Sequence, residues 1–225
     1  MARRAWILGA TAAALLLTPL VALAGYGQPP PPPPGGGGRG AGEVDAKGNP
    51  FSGGLGFDPA RLRVAVGRTV RWTNTDSFVP HTATEEHGIF DLGGDYGPPG
   101  NMGFGPGESV EREFSAGTFR YFCRVHPEMR GVVAAPVKLS IARARKAAPR
   151  VRALWSRRRL PAGQAFDVQR RIGGGPWRSI RVGTRRLQGT FSAVSAKANA
   201  FRARVRLTDG GGASGYSPAR AIRPG

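Results

Sequence analysis

From Leu62 to Asn74 the chain alternates between apolar positions and small or polar ones. Leu62, Val64 and Val66 stand against Arg61, Arg63 and Ala65, and after Gly67, Val70 and Trp72 stand against Arg71 and Thr73. A period of two predicts strands with one buried face. The alternation returns from Ser109 to Phe114 and from Gly117 to Cys123, where Phe119, Tyr121 and Cys123 share a face, and Val132 and Val133 open a further strand. The Gly- and Pro-rich stretch from Gly93 to Gly107 is predicted to be loop.

Beyond residue 136 the same signal predicts strands at Lys138 to Ala142, Val151 to Trp155, Ala165 to Arg171, Trp177 to Val182 and Phe201 to Leu207. Turn residues separate them at Pro161 to Gly163, Gly173 to Pro176 and Asp209 to Gly212. In the last strand Phe201, Ala203, Val205 and Leu207 are expected to face inward, with Arg202, Arg204 and Arg206 outward. The expected fold class is all-β, in two modules at 42–136 and 137–225, each built from short strands packed as a sandwich or barrel.

The N-terminus reads as an address. Arg3 and Arg4 precede an apolar run from Ala5 to Leu17, Pro19 breaks it, and Ala22-Leu23-Ala24 supplies small residues for cleavage after Ala24. This is the layout of a secretory signal peptide over residues 1–24. The alternative is an uncleaved anchor, because Ala5 to Ala24 just reaches across a bilayer. The Arg pair with Ala5-Trp6-Ile7-Leu8 is loosely similar to a twin-arginine signal, so the export route stays open. Residues 25–41 follow as a linker, a run of six prolines and then glycines, stiff first and flexible after. The expected location is exported: extracellular, cell envelope or periplasm, with no transmembrane segment left after cleavage.

Charge changes this picture more than length does. The 225 residues carry 33 Lys and Arg against 14 Asp and Glu, a net +19. By segment the net charge is +2 over residues 1–24, −2 over 25–136 and +19 over 137–225, where Asp167 and Asp209 are the two acids. The basic segment is expected to present either a solvated Arg face or a surface for an anionic envelope or an acidic redox partner. Export and the lack of an aromatic stacking platform argue against nucleic acid.

One Cys excludes an intramolecular disulfide framework. That Cys opens the run Cys123-Arg-Val-His126-Pro-Glu-Met129. A thiolate, an imidazole and a thioether lie within seven residues, and His81 in Val-Pro-His-Thr is the candidate second imidazole. Two His, one Cys and a weak axial Met form the ligand set of a blue-copper electron-transfer centre. Zinc is the metal alternative, though a thioether suits it poorly. His87 reads as a surface residue and Met102 as a poor axial rival. With His81 and His126 used, only His87 remains, too few imidazoles for a second, catalytic copper centre. The chain is expected not to be an enzyme.

The segment from Tyr121 to Val133 resembles the copper-binding loop of the cupredoxins, with the short Cys-x2-His-x2-Met spacing of the amicyanin type. Pro127 after the His, Arg130-Gly131 after the Met and Pro80-His81 upstream also match. The resemblance implies a Greek-key sandwich over 42–136, His81, Cys123 and His126 as strong ligands of one type 1 copper, Met129 as the axial ligand, and a redox partner protein. Two positions depart from the family pattern: Arg124-Val125 replaces the usual Thr/Ser-Pro, and Thr82 stands where Asn is common.

The C-terminal segment is similar to fibronectin type III modules. The similarity rests on Trp155, Phe166 to Trp177, Phe201 to Arg206 and Gly215-Tyr-Ser-Pro-Ala219, with Phe201 near where a Tyr is common. It implies an immunoglobulin-like sandwich that binds or spaces. The function expected from the whole chain is an exported type 1 copper protein that passes single electrons by Cu(II)/Cu(I) cycling, with a basic docking module. The alternative is a non-redox, copper-binding or adhesin-like envelope protein whose C-terminal sandwich is the working part.

Overall fold

The computed structural model describes residues 42–49, 53–93, 103–142 and 148–224. The expected signal peptide, the linker and Met102 lie outside these residues. Among them the structure is all-β, with no helix, and so no helix long and apolar enough to cross a membrane.

Nine strands build the first sandwich: β1 (Glu43–Asn49), β2 (Gly53–Asp58), β3 (Arg61–Arg63), β4 (Thr69–Asn74), β5 (Ala83–Glu85), β6 (Asp91–Leu92), β7 (Ser109–Glu113), β8 (Gly117–Phe122) and β9 (Arg130–Ala135). One sheet runs β2-β1-β4-β7 and the other β3-β9-β8-β5-β6. Alternation decides which residues fill the space between them. Val70 and Trp72 from β4 meet Phe119 and Tyr121 from β8, all at most 1% exposed. Trp72 packs edge-on to Tyr121 at 5.6 Å and beside Phe114 at 5.9 Å. Gly131, opposite Tyr121 in the β8–β9 ladder, leaves room for the Tyr121 ring; a Cβ there would lie 2.2 Å from Cζ.

Seven strands follow: β10 (Lys138–Ala142), β11 (Arg150–Leu154), β12 (Gln164–Ile172), β13 (Arg178–Thr184), β14 (Gln188–Ser192), β15 (Asn199–Leu207) and β16 (Arg220–Ile222). They form a three-stranded sheet, β10-β11-β14, and a four-stranded sheet, β13-β12-β15-β16. Val151, Ala153, Phe166, Val168, Phe201, Ala203 and Val205 are buried between them. The inward set expected for Phe201 to Leu207 is therefore observed, except that Leu207 at its end is half-buried.

The structure departs from the periodicity in two ways. Val64 and Val66 are buried as the pattern requires, but the chain leaves the sheet after Arg63 and turns at Gly67, where φ is +81°, before β4 begins. Strands β1, β2, β5, β6, β14 and β16 arise where no run of β-formers marked them.

Both sandwiches share one hydrophobic cluster, and backbone bonds join them. Ala116 N–H donates to Trp155 O (2.7 Å), and Thr118 and Gly215 exchange two bonds of 2.9 Å. Gln164 Nε2 donates to Ile89 O (2.8 Å) from a buried position. The backbone bonds of the junction lie at the start of β8. Cys123 follows the end of that strand, five positions beyond Thr118, or about 17 Å at the rise of an extended chain.

Candidate metal centre

Strand β8 delivers Cys123, fully buried, at its C-terminal end. The chain then turns back through His126-Pro127-Glu128-Met129, closed by Met129 N–H to His126 O at 2.9 Å. Pro127 sits at the second turn position, where its fixed φ favours the bend. Cys123 N–H donates to Met129 O (3.1 Å), so the turn is stitched to the strand that feeds it. Met129 is 1% exposed.

His81 arrives from the other direction. After β4 the chain crosses to the opposite sheet, and Asn74 shapes the crossing. Its Nδ2 donates to Val79 O (2.8 Å) and Phe104 O (3.0 Å), and its Oδ1 accepts from Asp76 N–H (2.8 Å). His81 then pairs with Phe104 through backbone bonds of 2.8 and 3.1 Å. Gly103 permits that approach: its φ is +107°, and a Cβ would lie 2.3 Å from His81 O.

The two segments bring three donors together. Cys123 Sγ lies 3.8 Å from Nδ1 of His81 and 3.8 Å from Nδ1 of His126. The three candidate ligand atoms all fall within 4.8 Å of one another. A metal about 2.0–2.1 Å from nitrogen and about 2.3 Å from sulfur holds sulfur and nitrogen about 3.7–3.8 Å apart at near-trigonal angles, so the two 3.8 Å separations fit one ion. His81 and Cys123 are fully buried, while His126 is partly exposed. The His81 imidazole titrates below its ordinary range, first because it is buried and next because His126 is close; Asp76 opposes both. Its ring is accordingly neutral at pH 7, with a lone pair available to a metal.

The Cys123 sulfur has a built environment. Thr82 N–H points at Cys123 Sγ from 3.3 Å. Thr82 Oγ1 accepts Arg124 N–H (2.8 Å) and shares a bond with Thr84 Oγ1 (3.1 Å). Thr84 Oγ1 donates to Asp91 Oδ1 (2.7 Å), and Arg124 Nη1 closes the ring on Asp91 Oδ2 (2.6 Å). Thr82 and Arg124, the two positions that depart from the family pattern, are bonded to each other. Asp76, Asn74, Thr84 and Asp91 gave no sign of a role at this site in the sequence, because residues that meet only in space leave no spacing to read.

His87 stands apart. Its side chain is 45% exposed, and Nδ1 lies 3.5 Å from Glu85 Oε1. It takes no part in the donor cluster.

Residues 44–135 match the family described as copper binding proteins, plastocyanin/azurin family. A plastocyanin from Scenedesmus fuscus is 32% identical over 87 residues, which are 37% of this chain and 88% of that protein. Among solved structures, a purple cupredoxin from Nitrosopumilus maritimus is 29% identical, over 41% of this chain and 97% of the other, with a TM-score of 0.32. A reduced amicyanin variant is 26% identical, over 44% of this chain and 84% of the other, with a TM-score of 0.33. The chain belongs to the cupredoxins, the plastocyanin/azurin family of copper-binding, electron-transfer proteins.

Proposed function

We propose that His81, Cys123 and His126 are the strong ligands of one type 1 copper and Met129 its axial ligand, and that the protein carries single electrons. The observation that carries this reading is the thiol sulfur flanked by two imidazole Nδ1 atoms at 3.8 Å each. Bound copper supplies the Cu(II)/Cu(I) couple. The chain's own residues supply the rest. Cys123 and His81 bring buried donors that exclude water. The Thr82 amide stabilises negative charge on sulfur, and hydrogen bonds to a ligand sulfur tune such a site. The stitched turn from His126 to Met129 restrains the donors, which keeps the rearrangement on electron transfer small. His126, partly exposed, is the ligand through which an electron enters or leaves.

Residues 42–136 form the copper module and 137–225 a fibronectin type III-like module. The three-on-four arrangement of β10-β11-β14 against β13-β12-β15-β16 supports that likeness. Its +19 charge favours docking to an acidic redox partner or an anionic envelope surface. Residues 1–24 direct export and 25–41 link. The test is Cu(II) titration of the full chain. Type 1 coordination gives an intense visible thiolate-to-Cu(II) band that one reducing equivalent per chain bleaches. A colourless copper complex, or a band that persists in Cys123→Ala, refutes the reading.

A further inference from the structure

The carboxylate of Asp76 lies behind the candidate ligand His81, and nothing in the copper reading has used it. Its side chain is 3% exposed, although Asp is a residue type rarely buried without a partner. Its two oxygens are treated differently. Oδ1 accepts the N–H groups of Ser77 (2.6 Å) and Phe78 (3.2 Å), an Asx turn that anchors the loop. Oδ2 is buried and has no hydrogen-bond partner among the described residues. On the facing side, Nε2 of His81 is also buried without a partner. These two orphaned atoms lie 3.7 Å apart. That is longer than a hydrogen bond, yet each is the polar atom the other lacks.

The ring geometry gives this pair a direction. Nδ1 of His81 faces Cys123 Sγ, so Nε2 points away from the donor cluster and toward Asp76. An imidazole that offers its Nδ1 lone pair must carry its proton on Nε2. A carboxylate placed there accepts that proton's hydrogen bond, selects the tautomer, fixes the ring plane and raises the basicity of the ligating nitrogen. Asn74 holds the arrangement by binding Asp76 N–H and two carbonyls of the same crossing.

We propose that Asp76 is a positioning residue for the copper centre: its Oδ2 accepts the Nε2–H of His81, presets the Nδ1 lone pair for the metal and biases the site toward Cu(II). The inference rests on His81 being a ligand. A buried negative charge behind the ligand stabilises the higher oxidation state, so removing it raises the reduction potential. Asp76→Asn suits the test because its Oδ1 can keep the Asx turn. Its amide N–H₂ then faces Nε2, which favours the wrong tautomer.

The experiment has two arms on the full chain. In the first, ¹⁵N-edited spectra of the copper-free wild type report the His81 tautomer. The Nε2–H form is expected, and a dominant Nδ1–H form overturns the proposal without any variant having to fold. In the second, Cu(II) affinity and reduction potential are measured for wild type, Asp76→Asn and Asp76→Glu. Asp76→Asn is expected to lose about 10–100-fold in Cu(II) affinity. Each tenfold loss not shared by Cu(I) raises the potential by about 59 mV. Asp76→Glu, which keeps the charge, is expected to recover part of both. Wild-type affinity and potential in Asp76→Asn overturn the role of Asp76 while the copper reading stands. A wild type with no thiolate-to-Cu(II) band overturns both.

Discussion

Thr82→Val tests whether the ligand loop is held by the side-chain ring rather than by the metal alone. The substitution keeps shape and branching and deletes one hydroxyl. That hydroxyl accepts Arg124 N–H at 2.8 Å and pairs with Thr84 Oγ1 at 3.1 Å. Thr84 keeps its bond to Asp91, so the uncompensated loss is the Arg124 amide, part-buried immediately after Cys123. An amide left without an acceptor costs about 1–3 kcal/mol, and its position at the rim places the cost in the lower half of that range. The Thr82 backbone N–H still reaches Cys123 Sγ, so the sulfur keeps its donor. Asp91→Asn is the internal comparison. The Arg124–Asp91 pair it weakens has side chains 38% and 40% exposed, and such pairs contribute about 0–1 kcal/mol. Urea unfolding of the copper-free chain reads the difference. Thr82→Val lowers the midpoint more than Asp91→Asn, with the slope unchanged, and Thr82→Ser sits near wild type. A Thr82→Val midpoint equal to that of wild type, or an Asp91→Asn effect larger than that of Thr82→Val, refutes the assignment of Thr82 as the loop's anchor.

Three further outcomes are expected. Gly131→Ala sets a Cβ 2.2 Å from the buried Tyr121 ring, and overpacking of this kind costs about 1–3 kcal/mol or more; thermal unfolding measures it. Gln164→Ala leaves the Ile89 carbonyl without the donor seen at 2.8 Å and destabilises the chain by about 1–3 kcal/mol, read by denaturant titration; no change would show that the junction between the sandwiches is not held there. The third concerns pH. Burial holds the His81 pKa below the ordinary imidazole value of about 6.5, so the unfolded chain binds a proton before the folded chain does. Stability of the copper-free protein is then full above about pH 6.5 and falls as pH drops toward the lower, folded-state pKa; a flat urea midpoint from pH 7 to pH 5 contradicts it.

The legible and illegible parts of this protein divide along a physical line. Strand β8 was readable because Phe119, Tyr121 and, just past its end, Cys123 fall on one face at alternate positions, and all three are buried. The donor loop was readable because its residues are close in sequence and chemically rare. Strands β1 and β2 were not, because Glu43–Asp58 is rich in Gly and acids. They form because β1 pairs in parallel with β4 and β2 closes on β1, so partners override propensity. Strand β14 hides for the same reason. It carries Gly189 where a Cβ would meet the rings of Phe191 and Trp155, and glycine there scores against a strand. Asp76 was beyond reach altogether, because its relation to His81 exists only once Asn74 has bent the crossing.

The outward arginines of β15 show how far the tertiary structure alters a charge reading. As a sequence, Arg202, Arg204 and Arg206 look like free cations on a wet face. In the fold, Arg202 lies over Trp177 at 4.3 Å and Tyr216 at 4.5 Å, and Arg204 lies over Tyr216 at 4.7 Å. Arg171 covers Trp177 at 4.8 Å, so cations and rings alternate across the sheet. The guanidinium of Arg202 bonds Gln169, and Arg204 bonds Asp167. Each ring contact contributes about 0.5–1 kcal/mol, which stabilises a sandwich whose sheet faces carry few acids. Part of the +19 is therefore spent on holding the module together, and neither Trp177 nor Tyr216 is a bare platform. The exposed arginines outside these contacts include Arg150, Arg157 and Arg178. Because the module joins the start of β8 while Cys123, His126 and Met129 follow its end, the docking surface proposed for those cations is separated along β8 from the loop that holds these three residues.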